Sequence, residues 1–256
     1  PNYWGKDLPT RRGFSNYDEV KVEYFRTQTT LFEAFKKGLI DVYPEGSPAA
    51  WRRDFDFPAV QSGDIIKDTF PLNNRPKTMQ GFVFNTRREI FSDIKVRKAL
   101  SLLFDFEWIN KNLFFDAYNR SASFWHGSEL SAFKRPVSER ELEYLGVHKS
   151  VDSADILDGT YEPQVHDGTG RDRKVLRKAL DLLKEAGYKN EGSLLYKPDG
   201  TVFEFEFLSQ NAGQEKLAVN FSRMLKKLGI MMTIRTVDSA QNQRRTQNYD
   251  YDMIMK

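Results

Sequence analysis

The segment from Arg173 to Asp238 constrains the fold more than any other. "RKVLRKALDLLKEAGY" carries its leucines at helical spacing and stops on Gly187. "PDG" at 198–200 is a turn. "TVFEFEFL" alternates strictly, which predicts a strand with Phe203, Phe205 and Phe207 facing inward. "QEKLAVNFSRMLKKLG" predicts a second helix with Leu217, Phe221, Met224, Leu225 and Leu228 on its inner face. "IMMTIRTVD" predicts a second strand, and "YDYDMIMK" ends the chain inside a further one. Helix, strand, helix, strand in close succession defines an α/β layer. Helices ending at "KKG", "EAG" and "KLG" share one stop: a small or cationic last turn, then glycine.

The N-terminal part predicts a smaller strand–helix–strand unit. "VKVEYF" (20–25) alternates as a strand, "TTLFEAFKKG" forms a helix capped by Thr29 or Thr30, and "LIDVY" (39–43) forms a second strand. Trp51–Phe57 has the pattern of a helical turn, and "DIIKDTF" (64–70) that of a strand. "PLNNRPK" (71–77), with two prolines, is the expected boundary between two parts. After it, Met79–Phe84 is a strand with Gln80, Phe82 and Phe84 on one side and Gly81 and Val83 on the other. Ser92 or Asp93 caps the next helix, whose inner face carries Val96, Ala99, Leu100, Leu103 and Phe104. "FEWINKNLFFDAY" predicts another helix, and residues 119–170 are loop-rich.

Composition excludes several classes. There is no cysteine, so no disulfide, thiolate metal site or thiol nucleophile. No apolar run is long enough to span a membrane, and no signal-like segment opens the chain. Net charge is +3, with basic and acidic residues interleaved, and the clusters "SRMLKKLG" and "QNQRRTQ" fit solvated helix faces and loops better than a nucleic-acid stripe. The 20 Phe and 11 Tyr exceed what a chain of mean hydropathy −0.62 requires, so they supply a core and a hint of recognition surface.

Catalytic patterns are missing. His126, His148 and His166 have no ligand partner at metal spacing and fit solvated or locally bonded histidines. "HDGTGRD" lacks both the phosphate-loop Lys-Ser/Thr and the calcium-loop spacing, which leaves a turn. Glu204 and Glu206 share a strand face, where a solvent-facing role is simpler than acid–base work. No catalytic residue, metal ligand or cofactor is expected. An enzyme with residues scattered in sequence is the alternative from another class, and a nucleic-acid module using the basic residues of 223–245 is a third.

"FVFNTRREIFSDIKVRKALSLLFDFEWINKNLFFDAY" resembles the extracellular solute-binding proteins of the dipeptide and oligopeptide type that serve ABC importers. The matching positions are Phe84, Asn85, Phe91, Asp93, Val96, Arg97, Ala99, Leu100 and Asp105. "FDFEW" is similar to the YejA-like oligopeptide-binding subgroup, where most of the family has Asp followed by Arg or Lys. "NYWG", "GLID", "LLKEAGY" and "YDYDMI" follow in family order, so the resemblance covers nearly the whole chain.

That resemblance implies a two-lobed α/β binding protein of the periplasmic type II, peptide-binding cluster, incomplete at both ends, which closes on its ligand by a hinge. Residues 1–76 would belong to the first lobe and 77–256 to most of the second. It implies a periplasmic location, an oligopeptide ligand, permease subunits as partners, a monomer and no nucleic acid. A metal chelate, sugar or haem is the nearest alternative ligand. The carboxylate that anchors a peptide amino terminus is expected beyond Lys256. Met79, Gln80, Phe82 and Trp125 are the expected ligand-facing residues, through main-chain hydrogen bonds and apolar walls. Arg97 is expected to serve the scaffold, with Asp93 as its ion-pair partner.

Overall fold

The computed structural model describes residues 3–14, 16–69, 79–146, 148 and 154–256. The chain divides into two compact units, Pro1–Lys67 and Asp68–Lys256. The expected boundary loop at 71–77 lies outside the described residues.

The first unit is helical. Helix α1 (Gln28–Lys36) is capped by Thr27, whose side chain accepts from the Thr30 amide, two or three residues before the expected cap. Its chain reverses through Gly38, at φ +71°. Helices α2 (Pro48–Arg53) and α3 (Pro58–Gln61) each begin on proline, which suits a first helical turn. Phe32, Phe35, Tyr43, Trp51, Phe55 and Phe57 form one aromatic cluster around Phe55. Lys67 closes it, with Nζ 4.5 Å from the centre of the Trp51 ring and donating to the Trp51 carbonyl. The strands expected at 20–25, 39–43 and 64–70 are not formed among the described residues. No backbone ladder engages them, and Val20, Val22, Tyr24, Val42 and Ile66 are exposed. Alternation alone makes no strand without a neighbour to pair with and a face to bury.

The second unit is built on a four-stranded sheet. Its elements run β1 (Phe82–Phe84), α4 (Ile94–Leu102), α5 (Phe106–Phe114), α6 (Glu139–Leu145), α7 (Ala154–Leu157), α8 (Arg173–Glu185), β2 (Lys189–Glu191), β3 (Leu194–Tyr196), β4 (Glu204–Ser209), α9 (Ala212–Lys226), β5 (Met231–Thr236), α10 (Ser239–Gln247) and β6 (Met253–Met255). The sheet order is β1-β6-β4-β5. Strands β4, β5 and β6 are parallel, and β1 runs antiparallel to β6, pairing Phe82 with Met255 and Phe84 with Met253. Strands β2 and β3 form a separate hairpin that the sequence reading did not foresee. It packs against Gly229, in the turn between α9 and β5: a Cβ there would lie 2.7 Å from the Leu194 and Leu195 backbone.

One face of the sheet carries the core. Phe203, Phe205 and Phe207 are buried there, as the alternation predicts, beneath Leu100 and Leu103 of the α4 region, Leu183 of α8 and Phe221 and Leu225 of α9. Phe91 is fully buried between Phe84 and Phe205, with ring centres 5.1 and 5.3 Å away. Most of the surplus phenylalanine is thus spent on packing. The expected cap Asp93 starts α4 by accepting from the Lys95 amide. Arg97 does not take Asp93 as its partner: its Nη1 donates to the Phe91 and Ser92 carbonyls, both at 2.7 Å. The i,i+4 expectation fails because the cap already holds Asp93 and the preceding turn offers two free carbonyls.

The β1–β6 joint depends on Asn85, which is 3% exposed. Its Nδ2 donates to the Tyr249 and Tyr251 carbonyls at 2.9 and 2.8 Å, and its Oδ1 accepts from the Arg87 amide. Replacing it removes a buried side chain's donors to both carbonyls, with only a long Arg88 Nε contact left at the Tyr251 carbonyl, so Asn85→Ala should lower unfolding stability by about 1–3 kcal/mol in urea titration. A loss below about 0.5 kcal/mol would show that the joint does not need this side chain.

Candidate ligand-binding edge of the sheet

Parallel strands define a carboxyl edge. In open α/β sheets, ligands bind outside this edge, where loops leave the strands and helices begin. Here β4, β5 and β6 end at Ser209, Thr236 and Met255. Because β1 runs the other way, its entry segment lies at the same edge. Gly81 and Lys256 exchange reciprocal backbone hydrogen bonds of 2.8 and 3.1 Å, which extend the β1–β6 pairing by one residue. Met79 and Gln80 precede this pair at the same edge. Both are exposed, Met79 at 40%.

Next along the edge, past β6, β4 turns into α9. Asn211 caps α9 by accepting from the Gln214 amide, and the Gln210 amide donates to Gln214 Oε1. Ser209 is fully buried; its hydroxyl donates to the Asn211 carbonyl and its own carbonyl accepts from the Val237 amide. This rigid polar turn offers exposed Gln210 and Asn211 beside β6. Sequence reading missed them, although "SQNAGQ" between strand and helix was the available signal.

The four expected ligand-facing residues separate into three situations. Met79 and Gln80 stand on the open edge. Phe82 is half-buried, and its ring packs against Phe207, Phe221 and Phe104 at 4.8, 5.5 and 5.4 Å, so its surface is largely used by the core. Trp125 lies in the 119–137 loop, 52% exposed, with its carbonyl accepting from Ser128. No hydrogen bond or ring contact among the described residues joins it to Met79–Phe82.

The acidic residues weighed for catalysis are held elsewhere. Glu206 lies on the face opposite the phenylalanines and pairs with Arg235 at 2.7 Å and Arg245 at 2.8 Å. Arg245 also holds Asp250, and Arg88 holds Asp250 and Asp252. Asp252 in turn accepts from the Glu206 amide. Glu204 is exposed and outside this network. Arg235 and Arg245, part of the basic region considered for nucleic acid, are thereby committed to internal pairs. His126 stacks near Phe133, His148 is exposed, and His166 is buried and bonded rather than solvated.

The whole chain, residues 1–256, matches the model of bacterial extracellular solute-binding proteins, family 5. The chain belongs to that family. A protein of Brucella suis biovar 1 named only as a binding protein is 50% identical over 255 residues, covering all of this chain and 41% of its own length. "Peptidoglycan-binding protein YepA" and "probable peptide-binding protein YejA", both of Agrobacterium fabrum, are 46% and 37% identical, again over all of this chain and 43% and 42% of their lengths. The chain therefore spans about two-fifths of these relatives. Two solved structures share the fold: NikA from Brucella suis in complex with Fe(III)-EDTA (TM-score 0.62, 21% identity, 94% of this chain and 41% of that one) and the oligopeptide-binding protein AppA from Bacillus subtilis with a nonapeptide (0.55, 20%, 89% and 38%). The α/β solute-binding-protein fold class expected from the sequence is the one shared with these neighbours.

The Glu206 network makes a prediction. Glu206→Gln should lower stability by about 1–2 kcal/mol, because two arginines lose a charged acceptor, and leave ligand affinity unchanged in calorimetry. Loss of binding or of a turnover activity would make Glu206 part of a functional site.

Proposed function

We propose that this chain contributes one wall of a peptide-binding cleft in the substrate-capture component of an ABC importer, in the periplasm, delivering oligopeptides to permease subunits. The observation that carries this reading is the carboxyl edge of the sheet, where β4 leads from buried Ser209 into the exposed polar turn Gln210–Asn211, at the same edge as the exposed Met79 and Gln80. An extended peptide needs main-chain partners for affinity and tolerant walls for breadth, and such an edge offers both. Gln210 and Asn211 supply polar groups next to it, and Trp125 supplies an exposed ring on its own loop. Residues 1–76 would be part of the first lobe and 77–256 most of the second. The receptor acts as a monomer by closing on its ligand, and no cofactor or catalytic step is required.

The 46% identity to a peptidoglycan-binding protein favours a narrower class, peptides derived from the cell wall. Native mass spectrometry of gently purified protein tests both. A heterogeneous set of peptide masses supports oligopeptide capture. Masses of amino-sugar-bearing or cell-wall stem peptides support the narrower class. A single sugar, haem or metal-chelate adduct contradicts the peptide reading and keeps the fold.

A further inference from the structure

The corner between α4 and α5 holds a cluster, with Asp105 and His166 buried and Glu107 partly buried, that the ligand edge does not use. Asp105 caps α5, its Oδ1 accepting from the Trp108 amide at 2.9 Å. Its Oδ2 is buried and has no hydrogen-bond donor, and the residue is 3% exposed. Glu107 follows in the first turn, and its Oε2 accepts from the His166 amide at 3.0 Å. His166 is 5% exposed. Its Nε2 lies 2.8 Å from the Leu102 carbonyl oxygen. A carbonyl can only accept, so Nε2 carries a proton and a neutral ring leaves a lone pair on Nδ1. That Nδ1 is also buried without a hydrogen-bond partner, 3.4 Å from Glu107 Oε2.

Asp105, Glu107 and His166 thus each offer one ligand atom, all within 4.8 Å of one another. Acceptors facing each other in a low-dielectric interior are costly unless something positive sits among them. A second proton on His166 would serve Glu107 and leave Asp105 Oδ2 unmatched. A cation serves all three. Arg120 and Lys227 lie near enough to act on Asp105 through space, and Arg120 on Glu107 as well, but they donate to the Gln164 and Gly170 carbonyls and make no direct ion pair or hydrogen bond with these carboxylates, so Asp105 Oδ2 still has no donor.

We propose that Asp105, Glu107 and His166 form a binding site for a divalent transition-metal ion of the zinc type. One imidazole nitrogen with two carboxylate oxygens selects zinc-like ions over magnesium or calcium, which prefer all-oxygen shells. Tetrahedral bonds of about 2.0–2.2 Å set neighbouring ligand atoms roughly 3.3–3.5 Å apart, close to the His166–Glu107 separation. Side-chain rotation of Asp105 completes the approach, and water fills the fourth position. The Leu102 carbonyl fixes the histidine tautomer, as an outer-shell partner does in metal sites. The ion would pin the 166–172 loop to the start of α5. Gly170, already packed against the Trp108 ring, shows how closely the two run.

The test uses purified protein stripped with chelator and then titrated with Zn²⁺ and with Co²⁺ as a visible probe. The expected result is one equivalent bound, a raised melting temperature and the absorption of four-coordinate Co²⁺. Asp105→Asn keeps a capping oxygen and removes the charged ligand, so the fold survives. That variant and Glu107→Gln should each weaken Zn²⁺ binding about tenfold or more. No melting shift and no Co²⁺ band in the stripped protein would overturn the proposal. So would binding that both variants leave unchanged, since the ion would then sit elsewhere. Peptide capture is read by a different measurement and can fail or hold independently.

Discussion

The antiparallel pairing of β1 with β6 holds the second unit together. Through Asn85 it ties the start of that unit to backbone 164 and 166 residues later. Such a contact is entropically expensive to form and gains nothing until the intervening chain is folded. It has consequences on both faces and at one edge. On one face it delivers Phe82 and Phe84 to the aromatic core. On the other, it brings Arg88 to Asp250 and Asp252 and so links to the Glu206 network. At the carboxyl edge it sets the exposed Met79 and Gln80 next to the end of β6.

The family signature in 84–105 is mostly an account of this scaffold. Asn85 makes the joint, Phe91 fills the centre of the core, and Asp93 and Asp105 cap α4 and α5. Arg97 clamps the turn before α4, and Ala99 and Leu100 are fully buried. A motif of this kind identifies the fold without naming the ligand, because none of these side chains is presented at the open edge. Relatives that share such a scaffold can carry different cargo, and specificity must reside in the edge segments and loops.

The legibility of the sequence followed the physics of burial. From Arg173 onward, helical spacing and strict alternation located α8, β4, α9 and β5, because each has one face in a shared core. The 20–25, 39–43 and 64–70 segments have strand-like composition, but among the described residues no pairing partner realises it, and most of their alternating apolar side chains are exposed. The β2–β3 hairpin escaped notice because β2 is fully exposed and has no hydrophobic pattern. Phe82 was legible as strand and misleading as surface: alternation says which residues share a face, not whether that face meets a helix or a ligand. The Asp105–Glu107–His166 cluster was invisible for a different reason. His166 meets Glu107 across 59 residues, so no local spacing could reveal it.

Hydrogen–deuterium exchange of the protein with and without saturating peptide tests the central claim most directly. A cleft wall at the carboxyl edge predicts slowed exchange at Met79–Gly81 and Gln210–Gly213, with β4 and β5 unchanged because they are already protected. Protection confined to the Trp125 loop, or none in either edge segment, would contradict the placement of the ligand at this edge.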